Sequence, residues 1–180
     1  MAKENYTKYA ILGLLTTECR TGYAIKQMID RSLNHFWKIS YGQIYPSLKK
    51  LVNEELVVVK ETIQDGKPDK KEYIITKKGL NTLQNWLHQP IHKMQEEKNE
   101  LLLKLFFSRH LDTSSSIEQL KAYKEMLINR LNTYYVIEKS IRTSDPNDKD
   151  PIFWLMTLDY GMKTTKACIQ WCDESMEKLS

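Results

Sequence analysis

The sequence predicts a mainly α-helical fold interrupted by a single β-hairpin. Three observations predict it. Gly and Pro are scarce, 6 and 5 among 180 residues, so few positions break a helix. Apolar residues recur at helical spacing through most of both halves. Val57-Val58-Val59 and Tyr73-Ile74-Ile75 flank Asp65-Gly66, a dipeptide favoured in tight hairpin turns. Apolar residues make up 41% and charged residues 28%, the balance of a folded globular chain. No apolar run approaches the roughly 20 residues that a membrane span needs. Residues 1–9 are polar and lack the apolar core of a secretory signal. The expectation is a cytoplasmic protein that meets no membrane. The three cysteines, Cys19, Cys168 and Cys172, fit a reducing compartment rather than a disulfide framework.

The first half reads as helix, helix, helix, hairpin, helix. Ile11, Leu12, Leu14 and Leu15 mark a short helix over residues 6–15, and residues 17–22 read as a turn. A second helix is expected from about Gly22 to Asn34, where Ile25, Met28, Ile29 and Leu33 recur at helical spacing. Phe36-Trp37-Lys38-Ile39 links it to a third helix with a strong start signal. Ser40-Tyr41-Gly42-Gln43 has the form of a capping box, and Ile39 with Ile44 the form of a hydrophobic staple. Ile44, Leu48, Leu51 and Val52 mark its buried stripe; Gln43, Lys49, Lys50 and Asn53 lie opposite, with Tyr45 and Ser47 at the boundary. Pro46 is discordant, because a helix-interior proline costs about 3 kcal/mol. Its ring would meet the carbonyl of Gly42, where the backbone adjusts most easily, so an irregular first turn is expected. Val57 to Val59 with Ile63 form a strand, residues 64–69 a turn, and residues 70–75 the return strand. Thr76 caps a fourth helix holding Leu80, Leu83, Trp86 and Leu87, which Gln89-Pro90 ends. The domain boundary is placed at residue 90.

Residues 91–180 carry only helical periodicity. Leu101-Leu102-Leu103-Lys104-Leu105-Phe106-Phe107 is so apolar that burial on most sides is expected. Asp112 or Thr113 caps a longer helix with Ile117, Leu120, Tyr123, Leu127, Leu131 and Tyr134 on one side, and polar residues 143–151 break it. On the last helix Leu155, Leu158, Met162, Thr165, Ile169, Cys172, Met176 and Leu179 form a heptad seam. Phe153, Trp154, Tyr160 and Trp171 lie partly off that seam. The seam is either an ordinary core face within one chain or the contact with a partner helix; one seam does not bury both groups, so a second copy of the chain is favoured. On that assignment, charged residues at Leu158 and Ile169 yield monomers.

Charge is distributed unevenly. Residues 1–90 hold 14 Lys and Arg against 9 Asp and Glu; residues 91–180 hold 13 against 14. The basic surplus lies wholly in the first half, where a polyanion would bind. A capped helix followed by a basic hairpin is the arrangement of a winged helix-turn-helix, which reads double-stranded DNA. Gln43, Ser47 and Asn53 have the amides and hydroxyl that read base edges. Lys49 and Lys50 suit phosphates, and Tyr45 a phosphate or sugar. Lys67 at the hairpin tip, with Lys70 and Lys71 behind it, suits the backbone or minor groove. Tyr23 and Lys26, at the start of the second helix, are further phosphate candidates.

These residues also carry a resemblance. Ile11-Leu12-Gly13-Leu14-Leu15, Thr21-Gly22-Tyr23-Ala24-Ile25-Lys26, Phe36-Trp37, Ser40-Tyr41-Gly42-Gln43-Ile44-Tyr45-Pro46-Ser47-Leu48-Lys49 and Tyr73-Ile74-Ile75-Thr76-Lys77-Lys78-Gly79 appear in order. The chain resembles the PadR family of bacterial transcriptional regulators over essentially all of residues 6–90. Gly42-Gln43-Ile44-Tyr45-Pro46 is the most diagnostic part. Ala24 stands where the family commonly has an acidic residue. Residues 91–180 resemble the family's longer C-terminal helical domain in apolar pattern. The resemblance implies a homodimer on a roughly palindromic operator, usually repressing, and often released by small aromatic acids or drug-like cations.

Such a regulator needs an input. His35, Phe36 and Trp37 join the second and third helices, and Trp154 and Tyr160 add aromatic surface from the second half; together they are the candidate effector site. Plain core is the alternative for Trp37 and Trp154. An enzyme is not expected. The chain has no phosphate-cradling Gly-rich loop, no nucleophile elbow and no metal ligands at a convincing spacing, so neither metal nor cofactor is expected. His88 and His92 are four apart, but Pro90 interrupts their helix. The other readings are an architectural DNA-binding protein without effector, and an activator of the same fold.

Overall fold

The computed structural model describes residues 6–62, 70–94, 98–143 and 150–180. Two compact units divide the chain, Met1–Met94 and Gln95–Ser180. In the first, α1 (Tyr6–Leu15), α2 (Gly22–Arg31) and α3 (Tyr41–Asn53) precede strands β1 (Val57–Thr62) and β2 (Lys70–Ile75), and α4 (Lys77–Leu87) closes it. Helix α2 stops earlier than the apolar spacing predicts. The Ser32 hydroxyl and N–H both donate to the Met28 carbonyl, at 2.6 and 3.0 Å, and the chain tightens into a 3-10 turn over Leu33–His35.

One apolar core holds this unit together. Ile11 and Leu12 of α1, Ile25 and Ile29 of α2, and Ile44, Leu48 and Leu51 of α3 are fully buried in it. Burying each such side chain contributes about 1.5–3 kcal/mol. Helix α3 starts where the capping signal places it. The Ser40 N–H and hydroxyl both donate to Gln43 Oε1, at 3.0 and 2.9 Å, while Ile39 and Ile44 enter the core as a pair. Pro46 lies inside α3, which runs from Tyr41 to Asn53 through it, and the Gln43 N–H donates to the Ser40 carbonyl at 2.9 Å, a tightened bond at the start of the helix. The helix ends in a Schellman motif. Glu55 N–H donates to the Val52 carbonyl and Leu56 N–H to the Leu51 carbonyl, with Glu55 at φ 59° where glycine is usual.

The hairpin pairs antiparallel from Val57↔Ile75 to Thr62↔Lys70. Two bonds fix it to the helices. Tyr73 N–H donates to the Arg20 carbonyl at 2.7 Å, tying β2 to the turn between α1 and α2. Thr76 N–H donates to the Leu56 carbonyl at 3.0 Å, and its hydroxyl caps α4 by accepting from Gly79 N–H. Gly79 passes so close to this junction that an added Cβ would lie 2.1 Å from the Leu56 oxygen.

The second unit contains α5 (Glu100–Phe106), a 3-10 turn (Ser108–His110), α6 (Thr113–Arg142) and α7 (Asp150–Leu179). Asn99 caps α5 through its Oδ1 and donates from Nδ2 to the Tyr123 hydroxyl at 3.1 Å, fastening α5 to α6. Asp112 caps α6. The Ser114 and Ser115 hydroxyls and the Ser115 N–H hold its carboxyl well below the usual carboxylate range. A folded-state value depressed in this way gives stability that is full above the unfolded value and lost as pH falls through the folded one.

Two expectations are corrected here. First, the apolar segment 101–107 is not buried on most sides. Leu101 is buried and Leu105 half-buried, whereas Leu102, Leu103, Phe106 and Phe107 are exposed, because a seven-residue helix covers only one side against α6. Second, much of the heptad seam packs against α6 within the chain. Helices α6 and α7 pack along each other, with Cys172, Ile169 and Met176 clustered around Leu120 and Leu127 of α6, and Lys124 Nζ paired to Asp173 Oδ1 at 2.5 Å. Leu158 and Thr165 are buried, and Leu155 and Met162 half-buried. Gly161 admits the Tyr134 ring, 3.1 Å from where its Cβ would be. Burial pushes the Cys172 thiol up, with Cys168 and Asp173 adding to the effect.

The two glycines that differ most in surroundings provide a test. Gly79→Ala forces a methyl onto a backbone carbonyl that cannot move away, and it should lower stability by about 3 kcal/mol, the upper end for overpacking. Gly13→Ala adds a methyl where nothing lies within 4 Å, inside a helix, and should leave stability unchanged or raise it by up to about 1 kcal/mol. Thermal unfolding of the two variants separates the outcomes.

Candidate nucleic-acid interface

The buried stripe of α3 decides what its other side presents. With Ile44, Leu48 and Leu51 in the core, Gln43, Tyr45, Lys49, Lys50 and Asn53 are all exposed. Ser47, expected among the base readers, is half-buried. Gln43 has its carbonyl oxygen engaged by Ser40, so its amide N–H groups are the part left for an acceptor such as a purine N7. Lys50 approaches Glu54 at 3.9 Å, but Glu54 is held more closely by Lys8 at 2.7 Å. Lys50 therefore stays available to an anion.

Helix α2 adds a second row. Thr21 caps it, accepting from Ala24 N–H at 3.1 Å. Tyr23 is exposed, and its hydroxyl accepts from Gln27 Nε2 at 2.9 Å. Gly22 has a structural reason. An added Cβ there would lie 2.7 Å from the Tyr45 ring, so the glycine lets Tyr45 of α3 rest on the start of α2. Lys26 sits with its ammonium 4.0 Å from the centre of the Tyr41 ring. Tyr41 in turn donates to Asp30 Oδ2 at 2.5 Å, which pushes its phenol above the ordinary value. Neither Tyr41 nor Asp30 was singled out from the sequence as part of the interface.

The hairpin contributes less than expected among the described residues. Lys71 pairs with Glu61 across the strands at 2.7 Å, so its charge is already answered. Lys70 lies in β2 opposite Thr62, but its side chain, like all of Lys67, lies outside the described residues.

The aromatic residues sort differently from the expected effector site. Trp37 meets the Tyr6 ring edge-on at 5.3 Å, and Tyr9 stacks on Trp86 at 4.6 Å, making a cluster of α1, α4 and the link before α3. Tyr6, Tyr9 and Trp86 were missed as partners; the i, i+3 spacing of the tyrosines on α1 was the available signal. Phe36 is exposed, and the side chain of His35 lies outside the description. A recess of about 360 Å³ at this link is lined by Asn34, Lys38, Ile39 and Ser40, not by the aromatics. Trp154 and Tyr160 belong to the other unit and are exposed there.

Comparison with known proteins agrees with the geometry. Residues 11–85 match the model of the transcriptional regulator PadR-like family, and residues 97–180 match the virulence activator alpha C-terminal model. The negative transcriptional regulator PadR of Bacillus subtilis is 33% identical over 180 residues, spanning 96% of each chain. The chain belongs to the PadR-like family of transcriptional regulators. Two solved structures of B. subtilis PadR, both 26% identical in the aligned region, resemble it closely. One is in complex with operator DNA (TM-score 0.86, covering 98% of this chain and 100% of that one). The other is in complex with p-coumaric acid (TM-score 0.80, covering 97% and 99%). As a PadR-like regulator the chain binds DNA, regulates transcription and is not an enzyme. No helix of the described residues is long and apolar enough to cross a membrane.

The cross-strand pair of the hairpin gives a test. Glu61→Gln removes this ion pair and one negative charge, and binding to a duplex of arbitrary sequence should tighten about threefold at low salt if Lys71 meets a phosphate. Fluorescence anisotropy reads this; unchanged binding would mean that Lys71 meets no phosphate.

Proposed function

We propose that the chain is a homodimeric PadR-like repressor that reads operator DNA through α3 and the hairpin and is released by a small aromatic acid. The observation that carries the first part is the division of α3 into a fully buried apolar stripe and an exposed polar face bearing Gln43, Lys49, Lys50 and Asn53. The relative crystallised with operator DNA, and described as a negative regulator, supports both DNA reading and repression. Tyr23, Lys26 and Tyr45 are assigned to phosphates and sugars beside this face, with Lys67 and Lys70 on the hairpin. The match of residues 97–180 to a virulence-activator model favours one second reading, activation by the same fold. The sign of the change in a reporter gene placed behind a bound site decides between the two.

Dimerisation is assigned to α7, on the face away from the seam. Ile152, Phe153, Met156 and Tyr160 recur at helical spacing opposite Leu158, Thr165 and Cys172, and all four are exposed, Tyr160 at 70%. A monomer rarely leaves such a stripe to water. A twofold pairing of identical patches covers it, and a twofold regulator meets half-sites a helical turn or its multiple apart. The p-coumaric acid bound by the relative supports this effector class, a ring with a carboxylate.

Three outcomes are expected. Lys49→Ala and Lys50→Ala should each lower the salt slope of DNA binding by about 1 and weaken all sequences alike, whereas Gln43→Ala should cost about 1–3 kcal/mol on the preferred sequence only. Phe153→Glu with Met156→Glu should raise the dimer dissociation constant about 100-fold with helix content kept. Leu158→Glu should instead unfold the α6–α7 pair; sedimentation and circular dichroism distinguish them. Adding p-coumaric acid should quench tryptophan fluorescence and loosen DNA together. An acid that does neither removes the effector assignment.

A further inference from the structure

An acidic residue stands on the surface assigned to a polyanion. Asp30, in the last turn of α2, is exposed and faces the start of α3. A bare carboxylate there would repel phosphate. Its oxygens are engaged: Oδ2 accepts from the Tyr41 hydroxyl at 2.5 Å and Oδ1 from Asn34 Nδ2 at 2.9 Å. Tyr41 is the first residue of α3, so the bond spans the two helices of the helix-turn-helix at the end where α3 begins. Lys26 is four residues before Asp30, the spacing of a helical ion pair. Its ammonium rests over the Tyr41 ring instead, 4.0 Å from the centroid. The ring holds the cation without neutralising it.

We propose that Asp30 and Tyr41 form a strut that sets the angle of α3 against α2, and that the Tyr41 ring keeps Lys26 ready for a phosphate. Both are positioning residues for DNA reading. The inference rests on the DNA-reading assignment of α3. The link between α2 and α3 is a 3-10 turn followed by a non-helical segment, which alone does not fix the angle between the helices. The core fixes the depth of α3 through Ile39, just before it, and Ile44, Leu48 and Leu51 along it. The strut adds a directional bond at the first turn itself. It also converts a charge that would oppose DNA into an acceptor with a local task.

The test uses two substitutions that change charge equally. Asp30→Asn and Asp30→Ala each remove one negative charge, but only the asparagine retains an oxygen to accept from Tyr41. The probes are a duplex selected by the wild-type full-length protein from a random pool, and a scrambled duplex of the same composition. Both variants should bind the scrambled duplex more tightly. Asp30→Asn should keep the ratio of selected to scrambled affinity near that of the wild type. Asp30→Ala and Tyr41→Phe should each lower that ratio about tenfold, the scale of a hydrogen bond to a charged group. The double variant should fall no further than either single one. Equal ratios for Asp30→Ala and Asp30→Asn, or losses that multiply in the double variant, overturn the strut. Thermal unfolding of the DNA-free protein supplies a second cycle. Non-additive shifts for Asp30→Ala and Tyr41→Phe support the contact, and additive ones overturn it. A wild-type protein that selects no sequence contradicts the DNA-reading assignment, and the unfolding cycle still judges the strut.

Discussion

Helix α3 must keep one face dry and leave the other bare. The rest of the first unit follows from that constraint. The dry face, Ile44, Leu48 and Leu51, meets Ile11 and Leu12 of α1 and Ile25 and Ile29 of α2. Ser40 and Gln43 satisfy the start of the helix, and the Schellman turn at Glu55 satisfies its end and launches β1. Thr76 and Gly79 then lock the hairpin onto the same turn. The polar face of α3 stays exposed among the described residues, and a reading surface requires that.

Helix α7 has the same problem with a different outcome. It carries two apolar stripes on opposite faces, and one neighbouring helix covers only one. Helix α6 takes the stripe with the regular heptad spacing. The irregular stripe, Ile152, Phe153, Met156 and Tyr160, is the one left to water. A strict heptad looks like a seam between chains, but within one chain two long antiparallel helices pack by the same knobs and holes. Periodicity counts stripes; the order in which neighbours cover them is decided by connectivity.

Much of the first unit was legible because its signals are local. Capping at Ser40 and Thr76, the apolar stripes of α1 to α4 and the paired strands each depend on residues a few positions apart. Most of the missed features are relations across the chain. Spacing in the sequence says nothing of the Glu61–Lys71 pair that occupies a hairpin cation, the Tyr45 ring over Gly22, or the Tyr41–Asp30 bond. The exposed side of α5 misled for a related reason: a dense apolar run signals burial, and Leu102, Leu103, Phe106 and Phe107 are exposed in the single chain. Pro46 marks the reverse case, a residue with poor local propensity that the helix nonetheless carries, since its buried neighbours Ile44 and Leu48 hold the turn around it.

Amine footprinting tests the division of α3 most directly. The full-length protein is acetylated under limiting reagent, free and bound to its selected duplex, and each lysine is read by mass spectrometry. The two-faced α3 predicts that DNA shields Lys49, Lys50 and Lys26 while Lys121 and Lys139 of α6 react as before. Unchanged reactivity at Lys49 and Lys50 in a saturated complex would contradict it, and would move the reading surface off α3 altogether.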